Sequence, residues 1–488
     1  MPSRKRRSGK GGGPRQGISG NPQRRAEQLA LRHPVLVDEP DLSPLMLDLG
    51  TDDRRSVLNA LAYSLAGGAE PSPWWDESHE RILAAARALS WPSRLVDLET
   101  QTCQVVGDEF YDSLNSQVEG HLPQQWLNTL VEKTAAALRA SVTSGADDWP
   151  QLWALLCGLA LTTPPGDTDS QTAKLTRAHF PDIKDPYRTA HAEVGKAAKL
   201  LAGHGLVSGI GLPAEGARVA GDLLVAHDVY GSRFLLTAPF AYDGETPDHW
   251  YAWDIDSCWL LNEVGAGVFG TAQDALAEWQ HAVGPAAATA ALSPGTPEMA
   301  ARLLDPCLRT GPMSDTLDGW EPRELIREYY RLRRRAHVLV SPAAAAAAGA
   351  NRTPADGELA PVREAFLDWY AARHDDVPED VADAVDTILS EWGPTRSPAE
   401  DRLRYTCSPH RIEKAAILIR DAYEPDYASA ALRLLPEWTQ WCIGQSGLTG
   451  DFAARSRAAA LTAAATAVGK TTSGLVTEKD EEPFRRPE

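Results

Sequence analysis

Apolar positions fall into three regimes along the chain. From Leu42 to Leu161 they recur at three- and four-residue spacing, the period of helices with one buried stripe. Val57, Leu61, Ser64 and Leu65 form one stripe, Ile82, Ala85, Ala86 and Leu89 a second, and Trp126, Leu130, Ala137 and Leu138 a third. Pro71, Pro73, Pro92 and Pro123 separate the segments. Trp149 to Thr162 is apolar on nearly every side, which predicts a buried helix too short to span a bilayer.

The pattern changes between residues 222 and 270. Leu223 to Val229, Ser232 to Phe240 and His249 to Asp256 are rich in aromatic and branched residues and read as strands. Tyr230-Gly231 joins the first two, and Asp243 to Asp248 joins the second and third. Connections this short allow only antiparallel neighbours. Alternation puts Tyr251, Trp253 and Ile255 on the core face, and Asp254 and Asp256 on an exposed one. A short strand near Gly267 to Phe269 leads into a helix, with Thr271 and Asp274 as its capping box and Ala275, Leu276 and Trp279 inward. A helix at Pro186 to Gly203 precedes the sheet.

Helical spacing returns from residue 295 to 468. Pro322 to His337 reads as one helix with Leu325, Tyr329 and Leu332 inward. Ser397-Pro398-Ala399-Glu400 and Ser408-Pro409 are helix starts. The fold class is therefore α+β and predominantly α-helical: helical N- and C-terminal regions flank a small antiparallel β-meander closed by a helix. The segments are a disordered tail (1–25), a helical domain (26–165), a small α+β domain (170–292), a helical segment (295–340), an Ala/Gly/Pro linker (341–360), a helical domain (361–470) and a loose C-terminal tail (471–488).

Composition agrees with a soluble globular protein of about three domains. Fifteen Trp in 488 residues imply a substantial core. The six cysteines lie 35 to 101 residues apart with no C-x-x-C pair, which reads as buried, reduced thiols in a cytoplasmic protein. Arg outnumbers Lys 38 to 10, the bias of a GC-rich bacterial genome.

Charge carries the strongest functional signal. Arg4, Lys5, Arg6, Arg7, Lys10, Arg15, Arg24 and Arg25 stand in the first 25 residues without one acid. The chain is formally −19, so setting these eight cations aside leaves −27 on the rest. A cationic segment on an anionic body implies contact with a polyanion: nucleic acid, an acidic protein surface, or the body itself. The expectation is a non-enzymatic bacterial interaction protein that uses these eight residues.

Other motifs are weaker. Gly265-Ala266-Gly267-Val268-Phe269-Gly270 is a literal G-x-G-x-x-G, but hairpin-linked strands precede it and no acidic residue follows about 20 positions on, so it reads as glycines at a sheet edge. Ala464 to Thr471 resembles a relaxed phosphate loop, but an alanine-rich helix stands where a strand is needed, and Gly469 reads as a helix C-cap. Asp254 and Asp256 with His249 form a conceivable Mg²⁺ or Mn²⁺ set, weakened because His249 has the opposite parity. His410 near Cys407 is a conceivable nucleophile pair, and is read instead as a surface histidine in a first helical turn. Arg323, Arg327, Arg331, Arg333, Arg334 and Arg335 crowd one helix with Tyr329 and Tyr330, and read as a solvated face laced with ion pairs at i+3 or i+4 spacing, Glu324 to Arg327 and Glu328 to Arg331. Two alternatives stand beside the polyanion reading. One is an enzyme with a site near the central sheet at Asp254 and Asp256. The other is an assembly scaffold, with Trp-bearing helices such as Glu437 to Cys442 as exposed anchors. No catalytic residue is assigned, and no cofactor, metal or membrane partner is expected.

Overall fold

The computed structural model describes residues 73–115, 123–165, 184–206, 216–258, 261–309, 323–340, 359–374, 378, 380–392 and 401–468. The N-terminal cations, the stripe at Val57–Leu65, most of the 341–360 linker, the helix start at Ser397 and the C-terminal tail lie outside the described residues.

The architecture is predominantly helical around one small antiparallel sheet, as the periodicities predict. Among the described residues five helices come first: α1 (Pro73–Ala85), α2 (Leu95–Asn115), α3 (Pro123–Ser144), α4 (Trp149–Thr162) and α5 (Pro186–Gly203). Six strands follow: β1 (Arg218–Val219), β2 (Leu224–His227), β3 (Arg233–Ala241), β4 (Trp250–Asp256), β5 (Asn262–Phe269) and β6 (Ser293–Pro294). Helix α6 (Ala272–Val283) lies between β5 and β6, and α7 (Pro297–Arg309) and α8 (Arg323–Leu339) come after. The C-terminal part holds α9 (Ala360–Ala371), α10 (Asp380–Glu391), α11 (Asp401–Arg404), α12 (Pro409–Ala422), α13 (Pro425–Ser446) and α14 (Gly450–Val468).

Strand order is β5-β4-β3-β2-β6, every pair antiparallel, with β1 paired to the far end of β3. The hairpins β2–β3 and β3–β4 are those the short connections require. Gly231 (φ 67°) and Gly244 (φ 80°) supply the left-handed turn residues. The two-residue strands β1 and β6 carry no periodic signal and were not anticipated.

Both faces of the sheet are covered. Tyr251, Trp253 and Ile255, with Leu236, Ala238 and Phe240 of β3, join a core that runs from Trp75 to Leu339. Ala226, Leu235 and Ala252 on the opposite face pack on Ala275, Leu276 and Trp279 of α6. The aromatic face is thus as predicted, whereas the expected solvent face is roofed by α6. Thr271 caps α6 by accepting from the Asp274 amide at 3.1 Å. The Asp274 carboxylate accepts from the Thr271 hydroxyl at 2.8 Å, where a capping box would have it reach the backbone.

Helix α4 is buried from Leu152 through Thr162, as its uniform apolarity predicts. Two close helix crossings depend on missing side chains. A Cβ on Gly158 of α4 would stand 1.8 Å from Thr102 Oγ1 of α2, and one on Gly107 of α2 would stand 2.5 Å from the Arg327 Cα of α8.

A second core joins Val362 to Ala463. Phe366 is its centre, with the rings of Trp438 and Trp441 at 5.1 and 5.5 Å. Trp438 and Trp441 are 0 % and 2 % exposed, so the stretch expected to offer exposed anchors supplies the core instead. The reason is their three-residue spacing, which puts both indoles on the inward stripe of α13.

Candidate functional site

The basic helix α8 points inward. Arg335 Nη2 stands 2.6 Å from both carboxylate oxygens of Glu99. Arg331 pairs with Glu328 at 2.6 Å and donates to Thr100 Oγ1 at 2.8 Å. Arg334 donates to the Thr163 carbonyl at 2.7 Å, Arg333 to the Leu308 carbonyl, and Arg327 to Asp108 at 2.7 Å. Arg331, Arg334 and Arg335 are buried. The solvated cationic face expected here is therefore overturned, while the expected Glu328–Arg331 pair does form. The helix is clamped between α2, α7 and β5, and its long side chains reach their partners by crossing the core.

The Asp254, Asp256 and His249 set does not assemble. Asp254 accepts from Arg233 Nε at 2.8 Å and Nη2 at 2.6 Å, and from Trp279 Nε1 at 2.9 Å. Those donors engage both carboxylate oxygens beneath α6, and Asp254 is 6 % exposed. His249 precedes the far end of β4 and pairs with Asp248 at 2.7 Å. The expectation of two solvent-facing aspartates fails because Arg233, on the neighbouring strand, and Trp279, on α6, together neutralise and cover that face.

Asp256 instead meets residues from the second core. It ends β4, opposite Arg233. Its Oδ1 accepts the Cys258 amide at 2.5 Å, which closes the chain tightly beyond the strand. Its Oδ2 stands 3.1 Å from His410 Nδ1. His410 is held there by the start of α12. Ser408 caps that helix, accepting the Arg411 amide at 3.2 Å, and Pro409 occupies the first helical position. Ser408 Oγ lies 3.2 Å from Cys258 Sγ. Ligand atoms of Asp256, Cys258 and His410 all lie within 4.8 Å of one another. His410 is the half-exposed member, and the other two are buried.

Burial works to raise the Asp256 carboxyl, but His410 and the Cys258 amide outweigh it, so it sits below the usual range. Burial pushes the Cys258 thiol well up, and the adjacent Asp256 carboxylate adds to the shift. Arg411 lies fully buried behind the cluster and donates to the Trp392 carbonyl at 2.7 Å and the Leu403 carbonyl at 2.6 Å. Desolvation lowers its guanidinium to about 10. Nearby Asp228 staples the β2–β3 turn, accepting the Ser232 amide at 2.7 Å.

Of the residues singled out from sequence, Asp256 and His410 do meet, but not with Asp254, His249 or Cys407. Cys258 was missed. Its signal was faint: a thiol two residues beyond a strand-end carboxylate, with its histidine 152 positions away. The G-x-G-x-x-G motif lies in antiparallel β5, where Gly265 sits against Asp254 and a Cβ on Gly267 would stand 2.9 Å from the Phe269 ring. Gly265 and Gly267 thus belong to strand packing, and Gly270 lies just past the strand end. In the Ala464–Thr471 motif, Val468 ends α14 and the last three residues lie outside the described residues. Among the described residues no helix is long and apolar enough to cross a membrane.

No protein-family model matches this chain, and neither a curated protein nor a solved structure does.

Proposed function

We propose that this is an interaction protein that contacts a polyanion, nucleic acid foremost, through Arg4, Lys5, Arg6, Arg7, Lys10, Arg15, Arg24 and Arg25. The observation that carries the reading is charge segregation. Eight cations without an acid are set against −27 on the remaining residues. The inward turn of α8 supports it, because Arg331, Arg334 and Arg335 engage internal partners, which makes the N-terminal cations the first to test. Phosphate contact by such residues is blind to sequence and driven by counterion release. A bacterial cytoplasm is the setting we assign. The six cysteines stand free and buried, the state a reducing compartment favours.

Fluorescence anisotropy with a labelled oligonucleotide at several salt concentrations tests the proposal. The logarithm of affinity is expected to fall linearly with the logarithm of salt, with a slope of about −0.7 to −0.9 per phosphate contacted. Removing residues 1–25, or replacing Arg4, Lys5, Arg6 and Arg7 by Gln, weakens binding to every sequence alike, and Arg333→Gln does not. Equal affinity without the first 25 residues, or no binding by the full chain at low salt, overturns it.

A further inference from the structure

The junction between the two cores holds an arrangement that an ordinary ion pair does not explain. Asp256 and Cys258 come from the end of β4 and the residues just after it, and His410 from the first turn of α12. A carboxylate, a thiol and an imidazole converge with their ligand atoms within 4.8 Å of one another. A four-coordinate ion with bonds of about 2.0–2.3 Å holds its ligand atoms about 3.3–3.7 Å apart. The 3.1 Å between His410 Nδ1 and Asp256 Oδ2 is already near that spacing. The remaining closure is on the order of 1 Å, within reach of a half-exposed histidine side chain.

We propose that Asp256, Cys258 and His410 bind a borderline divalent transition-metal ion, Zn²⁺ by the match of its ligand set, and that the ion ties the helices of the second core to the end of the sheet. Three features favour a cation here. First, the buried thiol lies against a carboxylate, so a thiolate would stand beside a second anion. A divalent ion makes both anionic forms favourable together. Second, the outer contacts orient the ligands. The Cys258 amide fixes Asp256 Oδ1 and leaves Oδ2 toward His410, and Ser408 Oγ is placed to donate its hydrogen to the sulfur. Third, the imidazole is half-exposed, so solvent, the source of water as a fourth ligand, reaches the cluster. Buried Arg411 adds a positive charge that favours the thiolate and lowers the attraction for a cation, so a tightly bonded ion is selected over a loosely held one. Mg²⁺ and Ca²⁺ require a shell of oxygen ligands that a thiolate and an imidazole do not provide. The inference is independent of the N-terminal cations.

The test uses the full chain and Co²⁺ as a spectroscopic probe. Expected are a near-ultraviolet thiolate-to-cobalt band and the visible absorption of a tetrahedral site, both removed by stoichiometric Zn²⁺ and unaffected by excess Mg²⁺. Cys258→Ser removes the thiolate band. His410→Gln, which keeps an N–H toward Asp256 Oδ2 and whose fold is checked by circular dichroism, weakens Co²⁺ binding at least about tenfold. His249→Gln leaves both unchanged. Absence of a thiolate band, its survival in Cys258→Ser, or undiminished affinity in His410→Gln overturns the assignment. Should Cys258→Ser fail to fold, as read by circular dichroism, the His410→Gln titration decides alone.

Discussion

Arg335 of α8 and Glu99 of α2 lie 236 positions apart and meet as a buried ion pair, 1 % and 0 % exposed. Tyr242 donates to the same carboxylate at 2.5 Å. The guanidinium lies 5.2 to 5.7 Å from the ring centroids of Phe240, Tyr242 and Tyr251. One ion pair therefore joins two helices and the aromatic face of the sheet.

Breaking that pair from one side leaves a buried charge without its partner. Arg335→Met is expected to destabilise by about 3–5 kcal/mol, and the double variant with Glu99→Leu to recover much of the loss. Urea melts of the two singles and the double measure the coupling. Additive losses would show that the two charges do not depend on each other.

Asp254 is the analogous anchor on the other face. Asp254→Ala strands the Arg233 guanidinium and the Trp279 N–H, and should cost about 3 kcal/mol. Trp279→Phe removes one donor and should cost about 1 kcal/mol through the lost hydrogen bond. Chemical denaturation ranks them. The opposite ranking would mean that Asp254 is hydrated, not held.

The helix crossings make a paired prediction. Gly107→Ala meets the backbone of α8 and should destabilise by about 1–3 kcal/mol, as should Gly158→Ala against Thr102. A Cβ on Gly195 of α5 meets nothing within 4 Å, so Gly195→Ala should stabilise by about 0.5–1 kcal/mol. Thermal melts of the three variants check the order.

His79 gives the pH dependence a sign. It is fully buried, and its Nε2–H donates to the Trp126 carbonyl at 3.0 Å. Burial first, and the Lys133 charge second, lower it from 6.5 to about 4. Between those values the unfolded chain binds the proton more readily. Stability is therefore full above pH 6.5 and is lost as pH falls toward 4, by about 3 kcal/mol at the bottom of the window. Asp228 runs the other way. Burial raises it from 3.8 to about 6, so its contribution declines as pH rises between those values. Denaturant melts of the wild type and His79→Gln at pH 7.5 and about pH 5 isolate the histidine, because Asp228 is common to both. An equal acid-induced loss in the two proteins would remove His79 from the account.

Local chemistry alone determined much of this protein. The alternation through Tyr251, Trp253 and Ile255 assigned the core face of β4, because strand side chains alternate whatever lies above them. Tyr230-Gly231 and Asp243-Gly244 specified antiparallel hairpins, because a short turn cannot cross over. Ser408-Pro409 and Thr271 marked helix starts through caps that need only their own neighbours. The tertiary structure decided which polar residues lie inside. Asp254 and Arg335 look like surface residues in sequence because their charge favours water, and only Arg233, Trp279 and Glu99, supplied from other elements, make burial tolerable. It likewise decided that Asp256 meets His410 and Cys258. Two lie on one side of the junction and one on the other, 152 residues on. No spacing rule reaches across two separate cores, so the cluster exists only once both have folded and docked.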